Sequence, residues 1–597
     1  MRNPFEIKSA ELMTPREVAQ GFVKEHTEHS KLASYAHTIM WGSRGSGKSM
    51  HCKFLEPEAQ AWDRDAPFGG DVQAFLRSPN SFLGVYINCR DGVLNREELR
   101  RLPTLKNIEE ARLHPLFNRY LACAVVTRTV ATVVKQLEWT KQLPVGERVP
   151  RWVTAAVGSD APQNLAPLLG KLADCCQAWL SAMETLMDGL YNGTQVPESL
   201  PLPLAAPRLT QDVPEFCEWL QSVLSVTAPF FLIFDEANEL STLHQRCVNT
   251  LIALRSQKCI CIKVASQRNS FVVGRTLDGS VDETHDFTTL DLDGLYTNNR
   301  EAYYKRIEHI ANDRLARAGI VRPIQEYLPE NPREVEAMNV ARTIAEKRYD
   351  EIPADEQPRD KANFVKKYAP AIMYQEVQSP KAGRTYAGFD NIVHLSSGIV
   401  RSFLDCCAKM HAKVLEEKPD NEPQEIPVSV QGDVIKEYSD EFIEAQIVQK
   451  LPGLEPDSPE RRQREQLHRL LDGMGGLFRA RLMDKESREP RIISVSLKDD
   501  PSPALAAVLD LAEREAFLHR KWYRSKRGNR NLKCYILNRR LCPHFNLDVT
   551  GFQGRVEVAC EHLERALDEP ETLMQTVFKQ RDEDEQEDSK QLRLFDM

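Results

Sequence analysis

No run of about 18 uncharged apolar residues occurs in the chain, which leaves no candidate for a membrane-spanning helix. The nearest approach, Leu121 to Val134, carries Arg128 in its middle. The first residues, Met1-Arg2-Asn3-Pro4-Phe5-Glu6, lack the apolar core of a secretory signal. The 14 cysteines fall as singletons or adjacent pairs, Cys175-Cys176 and Cys406-Cys407, with no CxxC and no CxxC…HxxxH spacing. That pattern excludes a zinc module and a disulfide framework and fits a reducing cytoplasm. Neither sign of charge dominates: 78 basic and 87 acidic residues leave a net −9. The total is therefore silent on nucleic acid, and the clustering of bases must decide. Apolar residues are not scarce. At 42% of 597 residues they exclude disorder along the whole length and can fill several cores, about three to four domains at roughly 150 residues each.

Residues 34–90 alternate as strand, glycine-rich loop, helix and strand, the α/β pattern of a parallel sheet. Strands are expected at Ser34 to Trp41, Ser81 to Asn88, Pro229 to Phe234, Ile260 to Ser266 and Phe287 to Leu292. The third and fourth are continuous apolar runs, which suit strands buried on both faces. Between the second and third, Leu165, Leu168, Leu172, Cys176, Trp179, Met183, Leu186 and Leu190 recur at helical spacing. A proline-rich stretch, Pro197 to Pro214, follows. This predicts a helical insertion at roughly 140–212, for packing or as a partner surface. From Asn299 to about Glu417 the pattern is mostly helical, and an acidic, proline-rich linker, Lys418 to Pro427, comes next. The expected division is a core at 1–298, a helical segment at 299–420, a further domain at 430–565 and a tail at 566–597. Within the tail, Arg581 to Lys590 is almost all charge.

Gly42-Ser43-Arg44-Gly45-Ser46-Gly47-Lys48-Ser49 matches G-x-x-x-x-G-K-[ST] in full. Glycines let the backbone curl so that successive N–H groups face one anion-sized concavity. Lys48 can reach β- and γ-phosphates, the Ser49 hydroxyl can ligate Mg2+, and Met50 continues into the helix that follows. ATP and Mg2+ are the expected cofactors. A second requirement is a carboxylate at the metal and another at the attacking water. Phe230-Phe231-Leu232-Ile233-Phe234-Asp235-Glu236 supplies both, since adjacent strand residues point in different directions. Asp235 is the expected metal residue and Glu236 the catalytic base. Asp91, after Gly84 to Arg90, is the rival acid, on a strand that Asn88 and Arg90 interrupt.

With these motifs the chain resembles AAA+ ATPases of the origin-recognition or initiator clade. Tyr86-Ile87-Asn88-Cys89-Arg90 is similar to the clade's second strand, and Ser397-Gly398-Ile399-Val400-Arg401 with Ser402-Phe403-Leu404-Asp405 to its lid-helix G-x-x-R signature. The resemblance implies a P-loop core with a parallel sheet, a helical lid and a C-terminal winged-helix domain. It implies Arg401 as a γ-phosphate sensor and Ser266 or Gln267 as the polar sensor at the end of the fourth strand, where the family often has asparagine. Arg268 and Arg275 stand for an arginine finger without a motif to place them. A surface arginine opening a helix is the other reading of Arg401.

Near the C-terminus, Phe517 to Tyr523 and Leu532 to Leu537 read as two strands around Ser525-Lys526-Arg527-Gly528-Asn529-Arg530-Asn531. Arg514, Arg520, Lys521, Arg524, Lys526, Arg527, Arg530, Lys533, Arg539 and Arg540 surround that turn against one acid, Glu515. Such a patch in an acidic chain is a footprint for phosphate backbone, and DNA is the expected partner. A patch that docks the acidic tail is the alternative. The last residues, Gln591-Leu592-Arg593-Leu594-Phe595, resemble the pentapeptide by which bacterial proteins dock on the sliding clamp. Leu592, Leu594 and Phe595 would be the apolar anchors and Gln591 the hydrogen-bonding head; a terminal strand packed on the preceding domain is the other reading. The functional expectation is a DNA-associated ATPase of initiator or loader type, with homo-oligomers or partner proteins in prospect and no membrane. An ATP-switched defence or signalling protein from an antiphage or mobile-element locus is the second reading, and a non-hydrolysing scaffold the third.

Overall fold

The computed structural model describes residues 3–24, 29–105, 108–192, 200–254, 258–268, 270–378, 384–419, 423–524, 531–551 and 554–575. The chain divides into two compact units, Lys8–Arg306 and Met1–Ile7 with Ile307–Met597.

The first unit is built on a five-stranded sheet of β1 (Thr38–Trp41), β2 (Leu83–Asn88), β3 (Phe230–Asp235), β4 (Ile260–Ser266) and β5 (Thr288–Asp291). Its order is β2-β3-β4-β1-β5, and every pair is parallel. All residues of β3 and β4 are buried, as continuous apolar runs in a sheet covered on both faces should be. The first strand is shorter than its expected start at Ser34. The carbonyls of Ser34 and Ala36 accept from Lys263 Nζ (both 2.7 Å) instead of joining the ladder. Between β2 and β3 lie two 27-residue helices, Glu110–Gln136 and Leu165–Tyr191, and then Asp212–Leu224, which leads back to the sheet. Arg128, on the first of these, pairs with Asp91. Among the described residues no helix is long and apolar enough to cross a membrane.

The second unit pairs helices Pro332–Asp350 with Lys361–Ile372 and Val400–Glu417 with Val428–Gln446. Its sheet has the order β7-β8-β6-β9, with β6 (Ser494–Leu497), β7 (Leu518–Arg524), β8 (Asn531–Leu537) and β9 (Val556–Val558). β7 and β8 form an antiparallel hairpin, β6 pairs antiparallel with β8, and β9 lies parallel to β6. One helix, Pro503–Arg514, lies between β6 and β7, where a helix-turn-helix has two. A buried ion network fastens the β8–β9 connection to the helices. Arg384 lies between Glu334 (3.2 Å) and Asp548 (3.5 Å), and Arg491 holds Asp548 at 2.6 Å. Thr385 donates to Glu334 through its N–H (2.6 Å) and its hydroxyl (2.7 Å). Burial alone would raise the Asp548 carboxyl; Arg491 and Arg384 outweigh it and hold the group at about 2.

Candidate functional site

The loop after β1 has the backbone that its glycines permit. Gly45 and Gly47 have φ of 91° and 102°, the left-handed region that L side chains enter only with strain. A β-carbon at Gly42 would collide with Ser46 Oγ. The loop starts beside the end of β4, where Gly42 N–H donates to the Ser266 carbonyl (3.3 Å), and it ends in helix Lys48–Phe54. Lys48 is buried and folds back across the loop, donating to the carbonyls of Gly42 (2.9 Å) and Ser43 (3.1 Å). Ser43 donates to Asp293 through its N–H (2.8 Å) and its hydroxyl (2.7 Å). Arg44 is exposed, Ser46 is buried, and Ser49 and Met50 are half-buried.

Asp235 ends β3 and is fully buried. The Ser49 side chain lies beside its carboxylate. The Tyr86 hydroxyl donates to that carboxylate at 2.8 Å, as does the N–H of Glu236 at 2.9 Å. Burial raises the Asp235 carboxyl, while Ser49, Tyr86, Lys48 and the Glu236 N–H work against that rise. Glu236 is half-buried at φ 53°, so the chain turns sharply as soon as Asp235 has been delivered. The structure thus brings Ser49, Asp235 and Tyr86 together near Lys48, and it occupies Asp91 with Arg128.

The remaining residues singled out by sequence are more scattered. Ser266 is fully buried opposite Trp41 at the loop's start, with its hydroxyl turned to the Gln267 carbonyl (3.2 Å); Gln267 is half-buried. Arg268 is paired with Asp291, and Arg275 is exposed. Arg401, in the second unit, is the exposed second residue of helix Val400–Glu417. The turn before it has Ser397 at φ 50° and Gly398 at φ 88°, and the Ser397 hydroxyl accepts from the Arg539 N–H at 2.6 Å.

In the basic hairpin, Arg520 faces Glu513 (3.3 Å), Lys521 lies over the Tyr523 ring (5.4 Å) and Lys533 lies 4.0 Å from Asp500. Trp522 is exposed between them. Two arginines counted with the patch are structural instead. Arg539 is buried and donates to the carbonyls of Val549 (3.0 Å) and Gly551 (2.8 Å). Arg540 stacks on Tyr438 at 3.4 Å and donates to its carbonyl. Arg524 ends β7 opposite Asn531. Lys526, Arg527 and Arg530, and the tail residues Gln591, Leu592, Leu594 and Phe595, lie outside the described residues.

Sequence reasoning missed Asp293, which grips Ser43 from 250 residues away, and the hydroxyl of Tyr86. Asp293 belongs to no spaced motif, and the strand motif that contains Tyr86 does not say where its hydroxyl goes, so only the folded sheet could have shown either contact. It also missed Arg306, whose guanidinium lies against the loop at Gly47.

A family model described as ORC-CDC6-like matches residues 3–558. No curated protein and no solved structure matches.

Proposed function

The chain belongs to the ORC-CDC6-like family, and from that premise we propose an ATP-dependent, DNA-associated ATPase of the initiator or loader type. ATP is bound and hydrolysed with Mg2+ in the first unit, and the second unit holds DNA. The observation that supports this most is the meeting of Ser49 with buried Asp235 at the end of β3, next to Lys48. A hydroxyl and a carboxylate are the hard oxygen donors that suit Mg2+, and a carboxylate that burial disfavours gains from a cation at its side. Ser49 and Asp235 would hold the ion, which when bound neutralises charge on the β- and γ-phosphate oxygens.

The chain's own residues supply the rest. Lys48 exchanges the Gly42 and Ser43 carbonyls for phosphate oxygens, and the loop N–H groups from Arg44 to Met50 orient them. Glu236 takes a proton from the attacking water. Ser266 or Gln267 reads the γ-phosphate from the end of β4, and Arg401 reads it from the lid. On the DNA side, Arg520, Lys521, Arg524 and Lys533 of β7 and β8 flank Lys526, Arg527 and Arg530, a concentration of cations that suits a phosphate backbone. The β6–β9 sheet with its hairpin serves as a winged helix in this reading. The tail peptide Gln591-Leu592-x-Leu594-Phe595 docks on a bacterial-type sliding clamp with about micromolar affinity, near −8 kcal/mol.

The test is ATP hydrolysis with and without duplex DNA. Lys48→Ala should cut ATP affinity sharply, and Glu236→Gln should hold ATP unhydrolysed. Hydrolysis at the wild-type rate in Glu236→Gln would transfer the base role to another acid. Replacing Lys526, Arg527 and Arg530 by Glu should reduce the log–log salt slope of DNA binding by about 2.7, and an unchanged slope removes DNA from the reading. Leu594→Ala with Phe595→Ala should abolish clamp binding and leave ATPase activity intact.

A further inference from the structure

Arg306 is the last residue of the first unit, on helix Arg300–Arg317. Only 5% of it is exposed, and its Nε has no hydrogen-bond partner among the described residues. No ion pair joins it to an acid among them. Burial lowers the guanidinium from 12.5 to about 10, with Tyr303 opposing, so it stays charged at neutral pH. A buried charge without a counter-ion costs several kcal/mol. A natural chain tolerates such a cost where the group has work to do.

The place of the guanidinium says what that work is. A β-carbon on Gly47 would meet Arg306 Nη2 at 3.7 Å and His51 Nδ1 at 4.0 Å. Gly47 immediately precedes Lys48 in the phosphate loop. Two more buried polar atoms of this short stretch, Ser46 Oγ and His51 Nε2, have no partner among the described residues. Ser46 adjoins Gly47 in the chain, and Arg306 and His51 are the side chains nearest to it, so three unsatisfied atoms gather at one glycine of the loop. Of these three side chains, Arg306 is the cation. A water could satisfy the hydrogen bonds but not the charge. An anion does both, and a guanidinium matches phosphate oxygens through two N–H groups at once.

We propose that Arg306 is a second phosphate-binding cation of the nucleotide site, acting in cis with Lys48 on a nucleoside di- or triphosphate held by the Gly42–Ser49 loop. The assignment rests on the nucleotide-binding reading of that loop and adds a residue to it. It places a positive charge on the Gly47 side of the phosphates, apart from the cation that Lys48 provides. Binding should then favour di- and triphosphates over nucleosides more than a single lysine would achieve.

The test compares ADP and ATP affinity, by calorimetric titration of the full chain, in wild type, Lys48→Ala, Arg306→Met and Arg306→Lys. Arg306→Met should lower both affinities by about 10- to 100-fold, the size of a lost charge-assisted hydrogen bond. Arg306→Lys should recover most of the loss. Without nucleotide, Arg306→Met should melt no lower than wild type, because it removes an unpaired buried charge; its stabilisation by ADP should shrink. Wild-type ADP affinity in Arg306→Met, with binding lost in Lys48→Ala, overturns this assignment alone. A wild-type chain that binds neither nucleotide overturns the loop reading as well. If the Met variant melts lower, Arg306→Lys decides: a folded Lys variant that binds ADP within about threefold of wild type supports the assignment, and one that binds as poorly as the Met variant overturns it.

Discussion

In the second unit the arginines of the β8–β9 network have carboxylates beside them: Arg384 has Glu334 and buried Asp548, and Arg491 has Asp548. The first unit buries bases in another way. Lys263 sits in β4 with its amine on the Ser34 and Ala36 carbonyls, the Thr38 hydroxyl and the face of Phe231. His29 and His244 are packed among aromatic rings, and Arg306 lies against the phosphate loop. The second unit therefore neutralises the arginines of this network with its own acids, and holds buried Arg539 on backbone carbonyls. The first unit either lowers the proton affinity of its bases by burial or, at Arg306, keeps a charge against the Gly42–Ser49 loop. Its stability should follow pH between 6.5 and 4 and phosphate ligands more steeply than that of the second.

The largest expected separation is in acid. Burial lowers His29 and His244 from 6.5 to about 3, and burial with Lys263 lowers His37 to about 4. Below pH 6.5 the unfolded chain binds protons that the folded unit refuses, so stability is present above 6.5 and lost as pH falls towards those values. Each such histidine contributes a slope of about 1.4 kcal/mol per pH unit, about 4 kcal/mol per unit for the three. Asp548, at about 2 against an ordinary 3.8, holds its stabilisation above 3.8 and loses it as pH falls through 2. Hydrogen exchange read peptide by peptide at pH 5 should find the first unit opening while the second stays protected. The opposite order would break the comparison.

Next in size is the network itself. Asp548→Ala leaves half-buried Arg491 without an acid and Arg384 with Glu334 alone, and should cost about 1.5–3 kcal/mol. Denaturant titration followed by exchange should locate the loss in the second unit, with the first unit's midpoint unmoved. A loss under about 1 kcal/mol would mean that the pairs are dispensable and the contrast superficial.

The smallest effect sharpens the picture at neutral pH. Burial lowers Lys263 from 10.5 to about 7, with Cys261 opposing. Above pH 7 the unfolded chain holds a proton that the folded one does not, so stability rises with pH. Between pH 7.5 and 8.5 the rise is about 1.4 kcal/mol at most. Lys263→Met should flatten it in the first unit alone; an identical slope in the variant would show that Lys263 stays protonated in the fold.

The parts of this protein legible in its sequence are those in which the physics acts between neighbours. The loop from Gly42 to Ser49 needs consecutive residues because one turn of backbone makes the anion concavity. β4 could be read to its exact bounds, Ile260–Ser266, because a strand buried on both faces is a continuous apolar run. The hairpin Leu518–Arg524 with Asn531–Leu537 followed from two strand patterns around a turn. Composition misled where charge and burial parted: Arg539 and Arg540 add to the basic count near the hairpin, yet both are locked onto backbone carbonyls. β1 was misjudged because the residues before it hand their carbonyls to a lysine on another strand.

The sequence by itself determined the phosphate loop, the apolar strands that carry Asp235 to its place, and the basic hairpin, each coded within a few residues or one element period. Only the tertiary structure decided that Asp91 is taken by Arg128, that Ser49 and Tyr86 converge on Asp235, that Asp293 holds Ser43, and that Arg306 stands unpaired at Gly47. Those pairings join residues far apart in the chain, so they depend on strand order and helix packing, which no local pattern records.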